Sequence, residues 1–283
     1  MEQKRIEQFE VAIDQQVQLA HDTYRVRFTA PGLARRIVPG QFVMVRPAEG
    51  TDPLLGRALA LYDVILQAGE PRQIDLVYLV QGKMTNRLSR MLPDQRLSVW
   101  GPLGNGFAVR PTDHLVMVAG GIGQTPFLSV AKEYLHRQQY GSPSRQQPRA
   151  RRVTLLYGAR TARLLAGIDD FERIGVEVQV STDDGSRGYH GRVTELLEAF
   201  LNAKSPEECR IVCCGPEPMM EGVSSVASRF GVPCQVSLET PMACGLGICF
   251  TCVARIRQDD GPEWDYRRTC VEGPVFDARD VVW

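Results

Sequence analysis

Cys244, Cys249, Cys252 and Cys270 are the side chains of this sequence with the clearest chemical purpose. The first three fall in the run Cys244-Gly-Leu-Gly-Ile-Cys249-Phe-Thr-Cys252, and Cys270 follows after seventeen further residues. C-x4-C-x2-C with a distant fourth thiol is the plant-type spacing by which thiolates hold a [2Fe–2S] cluster. Gly245 and Gly247 suit that purpose, because a loop wrapping three ligands must pass through positive φ and bring backbone N–H groups near the sulfurs. A structural zinc ion with four cysteine ligands is one alternative, although such sites usually offer two C-x2-C pairs and this chain has one. Unligated thiols are the other. An iron–sulfur cluster passes single electrons, so the rest of the chain must hold their source or their destination.

The elements that position these thiols have to come from 283 residues, enough for two domains or three if one is small. Thirty-three basic and thirty-three acidic side chains balance, so no global field argues for nucleic acid or an anionic membrane as partner. No run approaches the ~20 apolar residues of a membrane span, and the first thirty residues lack an apolar signal segment. Eight cysteines without an export signal fit a reducing compartment, and a cytoplasmic location is expected.

Between Phe9 and Phe107 the pattern is short alternating runs broken by turn residues, as in Phe9-Glu-Val-Ala-Ile-Asp, Tyr24-Arg-Val-Arg-Phe, Gln41-Phe-Val-Met-Val and Ile74-Asp-Leu-Val-Tyr-Leu-Val. That spacing predicts an antiparallel barrel or sandwich, with one short helix over 84–91. After Gly101-Pro-Leu-Gly-Asn-Gly106 the rhythm changes to strand then helix. Strands are expected at 114–119, 153–157, 176–180 and 209–214, and helices at 126–139, 162–174, 194–201 and 218–230, which makes a parallel, doubly wound sheet. The stretch 141–152, rich in Ser, Pro, Gln and Arg, reads as a solvated excursion. From about Val232 a last strand leads into the cysteine loop. The expected fold is α+β multidomain: an antiparallel β-barrel over 1–108, an α/β doubly wound domain over 109–231 and a small cluster module over 232–283 held together by its metal centre.

Gly120-Gly121-Ile122-Gly123 lies between a buried-strand pattern and a helix, where backbone N–H groups and the helix dipole favour a phosphate. A tight strand-to-helix turn would need the same glycines. Cys214-Gly215-Pro216-Glu217-Pro218-Met219 ends a second strand and opens a second helix, so two loops converge where open α/β sheets bind ligands. The four histidines are scattered, with no Ser/His/Asp order or H-x-x-H pair, and no catalytic residue is expected among them.

Gly-Pro-Leu-Gly-Asn-Gly106, Gly-Gly-Ile-Gly-Gln-Thr-Pro126 and Cys214-Gly-Pro-x-x-Met219 together resemble the ferredoxin–NADP reductase superfamily, in which a barrel binds FAD and an α/β domain binds a nicotinamide nucleotide. With Met242-Ala-Cys-Gly-Leu-Gly-Ile-Cys-Phe-Thr-Cys252 and Arg267-Arg-Thr-Cys270-Val-Glu-Gly-Pro-Val-Phe276 added, essentially the whole chain resembles the electron-transfer subunits of NAD-dependent (class 1B) dihydroorotate dehydrogenases. The resemblance assigns Cys244, Cys249, Cys252 and Cys270 to the cluster. It places Arg57, Leu59, Ala60, Tyr78, Leu79, Val80, Gly82 and Thr85 at FAD, and Gly120, Gly121, Gly123, Thr125, Pro126, Cys214, Gly215 and Met219 at the nicotinamide nucleotide. Two positions depart from the family. Ala60 stands where a serine is usual near the flavin ring, and Met84 replaces a glycine expected beside the diphosphate. Arg160 could meet a ribose 2′-phosphate, and Asp183-Asp-Gly-Ser186 is either a loop at the cofactor edge or an ordinary turn. Cys209, Cys213 and Cys234 read as buried strand thiols.

A nicotinamide exchanges two electrons as a hydride and a cluster exchanges one, so a flavin is needed between them. The resemblance implies the order dihydroorotate, FMN-containing catalytic subunit, [2Fe–2S], FAD, NAD+, with two copies of each subunit. Rival readings with the same parts are a reductase subunit serving a sulfide, ferredoxin or oxygenase partner and a free-standing NADH oxidoreductase. A zinc-stabilised nucleotide-binding regulatory module is the reading without redox chemistry.

Overall fold

A computed structural model describes residues 6–145, 149–204, 206–258 and 263–283. Six antiparallel strands close a barrel in the order β1-β2-β5-β4-β3-β6. They are β1 (Glu7–Ala20), β2 (Thr23–Thr29), β3 (Phe42–Pro47), β4 (Arg57–Gln67), β5 (Glu70–Leu79) and β6 (Arg96–Leu103), with short helices α1 (Pro31–Ala34) and α2 (Lys83–Ser89) at the seams. Inward positions alternate along the strands, so Val11 and Ile13, Val26 and Phe28, and Val43 and Val45 fill one core. Met84 belongs to that core as well. Its side chain is buried among the barrel's apolar residues.

The second unit is a seven-stranded sheet in the order β10-β9-β8-β7-β11-β12-β15. Along the chain it runs β7 (His114–Gly120), α3 (Phe127–Tyr134), β8 (Arg152–Ala159), α4 (Ile168–Arg173), β9 (Glu177–Thr182), β10 (Tyr189–His190), α5 (Val193–Asn202), β11 (Cys209–Cys214), α6 (Glu217–Arg229) and β12 (Cys234–Ser237). β13 (Val253–Arg257) and β14 (Trp264–Arg268) form a separate ribbon before β15 (Val275–Asp277) returns antiparallel to β12. All seven residues of β7 are buried, as a strand covered on both faces requires. Residues of α3 and α4 pack in the core on one face, and residues of α5 and α6 in the core on the other. α5 shows why: Val193, Leu196, Leu197, Phe200 and Leu201 recur at helical spacing and are buried.

Two expected helices are shorter than their sequence pattern. The 126–139 stretch is helical only to Tyr134, and His136 turns out of it at φ 54°. Within 162–174 a 3-10 turn (Ala162–Leu164) precedes α4, because Gly167 breaks the helix at φ 72°. A Cβ there would come within 2.6 Å of the Tyr62 hydroxyl. That hydroxyl donates to Asp170 Oδ2 at 2.7 Å and ties the barrel to α4.

The 141–152 stretch is anchored rather than solvated throughout. Arg145 forks onto the buried Glu133 at 2.7 and 2.6 Å and donates to the Phe107 carbonyl, while Ala150 is buried. Residues 146–148 of that excursion lie outside the described residues.

The last fifty residues are not an isolated module. β12 and β15 complete the large sheet, and Leu238, Ile256, Ala278 and Val281 share the core beneath α5 and α6. Asn105 clasps the same segment to the barrel, donating to the Glu272 and Val275 carbonyls and accepting from the Val275 N–H. The metal centre is therefore not the sole element holding this segment.

Candidate functional site

Three neighbouring features carry the chemistry. The largest is a cavity of about 1050 Å³ where the carboxyl ends of β7, β8 and β11 face the β1–β2 hairpin of the barrel. Gly120, Gly121 and Met219 line it. Gly123 and Gly215 do not, and their role is to interlock the two strand-to-helix loops. A Cβ on Gly123 would run into the Cys214 carbonyl, and one on Gly215 would meet Met219 Sδ at 2.7 Å and Gly120 N at 3.0 Å. Arg160 and Asp183 line this cavity too, joined by His21, Asp22, Arg192 and Thr194, which sequence reasoning missed. Arg192 and Thr194 were legible in principle, since they open α5 and a helix N-terminus favours anions.

The second cavity, about 590 Å³, runs along β4, the end of β5 and the start of α2. Arg57, Leu59, Ala60, Tyr78, Leu79, Gly82 and Thr85 line it as expected, whereas Val80 lines the larger cavity. The exposed Arg57 guanidinium lies over Gly82, where an added Cβ would stand 3.6 Å from Nη2. The Thr85 hydroxyl accepts from the N–H groups of Gln81 and Gly82 at 3.0 and 3.2 Å, which shapes the turn beneath that guanidinium. A forked cation beside a turn without side-chain bulk suits a diphosphate. Burial pushes the Tyr78 hydroxyl up, so it stays a neutral donor, bonded to Gln16 Oε1. Thr125, Pro126 and Cys214, expected at the nucleotide, open onto this second cavity from the other domain.

Glu239 was not anticipated and lines both cavities. Its carboxyl is open to the cavity space yet packed round by protein, and that burial raises its pKa. The Cys214 thiol, pushed up mainly by burial, donates to Glu239 Oε1 at 3.9 Å.

The third feature is the cysteine loop. Gly245 at φ 71° and Gly247 at φ 80° make its turns, and a Cβ on Gly245 would stand 2.6 Å from Met44 Cγ of the barrel. The Leu246 N–H points at Cys244 Sγ, 3.2 Å away. The thiols fall into pairs. Cys252 and Cys270 are buried with their sulfurs 3.2 Å apart, and Cys249 shares a hydrogen bond with Cys244. Hydrogen bonds from Thr251 and Cys244 hold the exposed Cys249 thiol down to about 6, and burial followed by the neighbouring Cys252 pushes Cys270 up to about 12. Two pairs of thiols suit two metal centres taking two thiolates each. Among the described residues, no three His, Cys, Asp or Glu side chains gather as ligands of a single ion such as zinc.

The loop is pressed against the second cavity. Trp100 Nε1 donates to the Cys244 carbonyl at 3.0 Å. Phe42, Ala58 and Met242 each line the cavity and pack in the same apolar cluster as Cys252 and Cys270. One layer of side chains thus separates the buried thiols from the second cavity, and Glu239 joins that cavity to the first.

Three family models match the chain. Residues 10–107 match the oxidoreductase FAD-binding domain, 117–225 the oxidoreductase NAD-binding domain, and 239–282 the iron-sulfur cluster binding domain of dihydroorotate dehydrogenase B. The dihydroorotate dehydrogenase B (NAD(+)) electron transfer subunit of Desulforamulus reducens is 36% identical over 94% of this chain and 94% of its own length. The subunit of the same name from Geobacillus kaustophilus is 36% identical over 93% and 94%. Among solved structures, a chain of an NADH-dependent reduced ferredoxin–NADP oxidoreductase superposes with a TM-score of 0.75 at 28% identity, covering 96% of this chain and 90% of that one. The ferredoxin reductase of carbazole 1,9a-dioxygenase shares the fold, with a TM-score of 0.64 at 22% identity over 81% of this chain and 67% of that one. The two named subunits match this chain over 94% and 93% of its length, and the iron-sulfur family model covers the cysteine loop: the chain belongs to the family of dihydroorotate dehydrogenase B (NAD(+)) electron transfer subunits.

Proposed function

We propose that this chain carries electrons from an FMN-containing dihydroorotate dehydrogenase catalytic subunit to NAD+, in an assembly of two copies of each subunit in the cytoplasm. The contiguity of the three features supports this most directly: buried thiols, one layer of side chains, a cavity fit for FAD, and a nucleotide cavity joined to it at Glu239. Bound there, the [2Fe–2S] centre would supply one-electron chemistry, FAD the conversion between one- and two-electron steps, and NAD+ the hydride acceptor.

The chain's own work is placement. Cys244 with Cys249, and Cys252 with Cys270, would hold the cluster as two thiolate pairs. Arg57 and the Gly82 turn would grip the FAD diphosphate, while Leu59, Ala60, Tyr78, Leu79 and Thr85 would wall the rest of the flavin. Gly120, Gly121 and Met219 would seat the nucleotide, and Thr125, Pro126 and Cys214 would present it to the flavin cavity. Domains over 1–108, 109–231 and 232–283 divide these tasks, the third supplying β12 and β15 to the sheet of the second. No acid or base on this chain is required for hydride transfer. Removing Arg57 deletes a charge-assisted pair of bonds, so Arg57→Ala weakens FAD affinity by about 10- to 100-fold, read from recovered flavin fluorescence on dilution.

Around the exposed Cys249, the side chains of Leu246, Ile248, Phe250 and Val271 are also exposed. Such a patch beside the outermost ligand is the docking face for the catalytic subunit. Ile248 is 76% exposed, so Ile248→Asp weakens subunit association by about 30-fold or more while the absorption spectrum stays unchanged.

The test is an anaerobic assay of dihydroorotate-dependent NAD+ reduction with this chain and the FMN-containing catalytic subunit of the same organism. NADH forming only when both are present supports the reading. If NADH reduces the flavin of this chain but dihydroorotate never does so through that partner, the reading fails in favour of a ferredoxin or sulfide partner.

A further inference from the structure

Arg268 is the last residue of β14, two positions before Cys270. Its guanidinium reaches back across the cysteine loop. Nη1 donates to the Gly247 carbonyl at 3.0 Å, between Cys244 and Cys249 in sequence, and the group lies 5.3 Å over the Phe250 ring. From behind, Glu272 accepts Nη2 at 2.7 Å and Nε at 3.3 Å, and its Oε2 also takes the Arg268 N–H at 2.9 Å. The adjacent Arg267 is turned away to Gln258. The cation is thereby held between the loop that carries Cys244 and Cys249 and the strand end that leads to Cys270, with the Glu272 carboxylate bonded to it.

We propose that Arg268 and Glu272 are positioning residues that set the reduction potential of the iron–sulfur centre, the guanidinium raising it and the carboxylate tempering that rise. Reduction adds one negative charge to a centre already bound by four thiolates. A fixed cation against the cysteine loop favours the reduced form, and a fixed anion bonded to that cation opposes it. Arg268 is half-exposed, which keeps the effect moderate in solution. The inference rests on the assignment of the four cysteines as cluster ligands.

The experiment is a mediator-coupled redox titration of the full FAD-loaded chain, followed by the EPR signal of the reduced cluster, with visible circular dichroism confirming that the cluster is retained. A [2Fe–2S] signal from the unaltered chain is the control, and its absence would sink the ligand assignment rather than this proposal. Arg268→Gln is expected to shift the equilibrium about three- to tenfold toward the oxidised form, tenfold being about 59 mV for one electron. Glu272→Gln, whose amide oxygen still accepts from Arg268, shifts it in the opposite direction, and Arg268→Lys stays within about twofold of the unaltered chain. Midpoints unmoved in both glutamine variants, or moved in the same direction, would reduce the pair to a mechanical clip and overturn the proposal. If Arg268→Gln loses its cluster, the sign of the Glu272→Gln shift decides alone.

Discussion

Cys249→Ser is expected to lower dihydroorotate-dependent NAD+ reduction by more than about 100-fold in the reconstituted complex, while NADH oxidation by an artificial acceptor through the flavin stays near its original rate. The two halves of that expectation come from different parts of the structure. Cys249 is exposed, so its sulfur contributes no packing that serine would lose. What it does contribute is a thiol held down to about 6 by Thr251 and Cys244, hence a thiolate at neutral pH. A serine hydroxyl stays protonated there and leaves one iron a ligand short. Cys249 itself lines neither cavity, so the walls that would hold nucleotide and flavin keep their side chains. Electron transfer from the partner that survived at its original rate would mean that electrons reach the flavin without the cluster, and the order of carriers would have to be redrawn.

How much of this could be read from the chain alone differs from residue to residue. The iron–sulfur segment was legible because metal chemistry fixes the local spacing of its cysteines, and the loop glycines appear at positive φ where that spacing needs them. Strands and helices of the large sheet were legible where both faces are buried or one face repeats at helical period, as in β7 and α5. What periodicity could not show is juxtaposition. Val80 continues the pattern of β5 but turns into the larger cavity, and Thr125, Pro126 and Cys214 reach the second cavity only because two domains close on one another. Glu239 looks in sequence like any charged residue after a strand, and its place between two cavities is a property of the assembled fold. Gly167 cut an expected helix because Tyr62, 105 positions earlier in the chain, occupies the space a side chain would need. The anchoring of Arg145 by Glu133 is likewise set by the buried position of the glutamate rather than by the polar run around the arginine.

Lys132→Met is expected to cost about 3–5 kcal/mol of unfolding free energy in urea titration, because it strands a buried carboxylate. Asp63 of β4 is nearly fully buried, and the Lys132 ammonium of α3 pairs with its Oδ2 across the boundary between barrel and sheet. Tyr140 and the Val64 N–H hold the other oxygen at 3.0 and 2.9 Å, but neither brings a charge. Burial raises the Asp63 pKa above 3.8 and Lys132 only partly offsets it. The sign of the pH effect follows. With the folded pKa above the unfolded one, the contribution of Asp63 to stability is fully present below 3.8 and is lost as pH rises through the folded value. Taking away the ammonium raises that folded value further, so the deficit of Lys132→Met is largest near neutral pH and shrinks on acidification. Adding Asp63→Asn to Lys132→Met removes the stranded charge and is expected to recover most of the loss at neutral pH, with less left to recover in acid. A deficit independent of pH, unrelieved by the second substitution, would assign the cost to lost packing of the lysine stem instead. The same boundary fixes how the two cavities face each other, so the single variant should also bind NADH more weakly at temperatures where it remains folded, and the double variant should regain that affinity together with its stability.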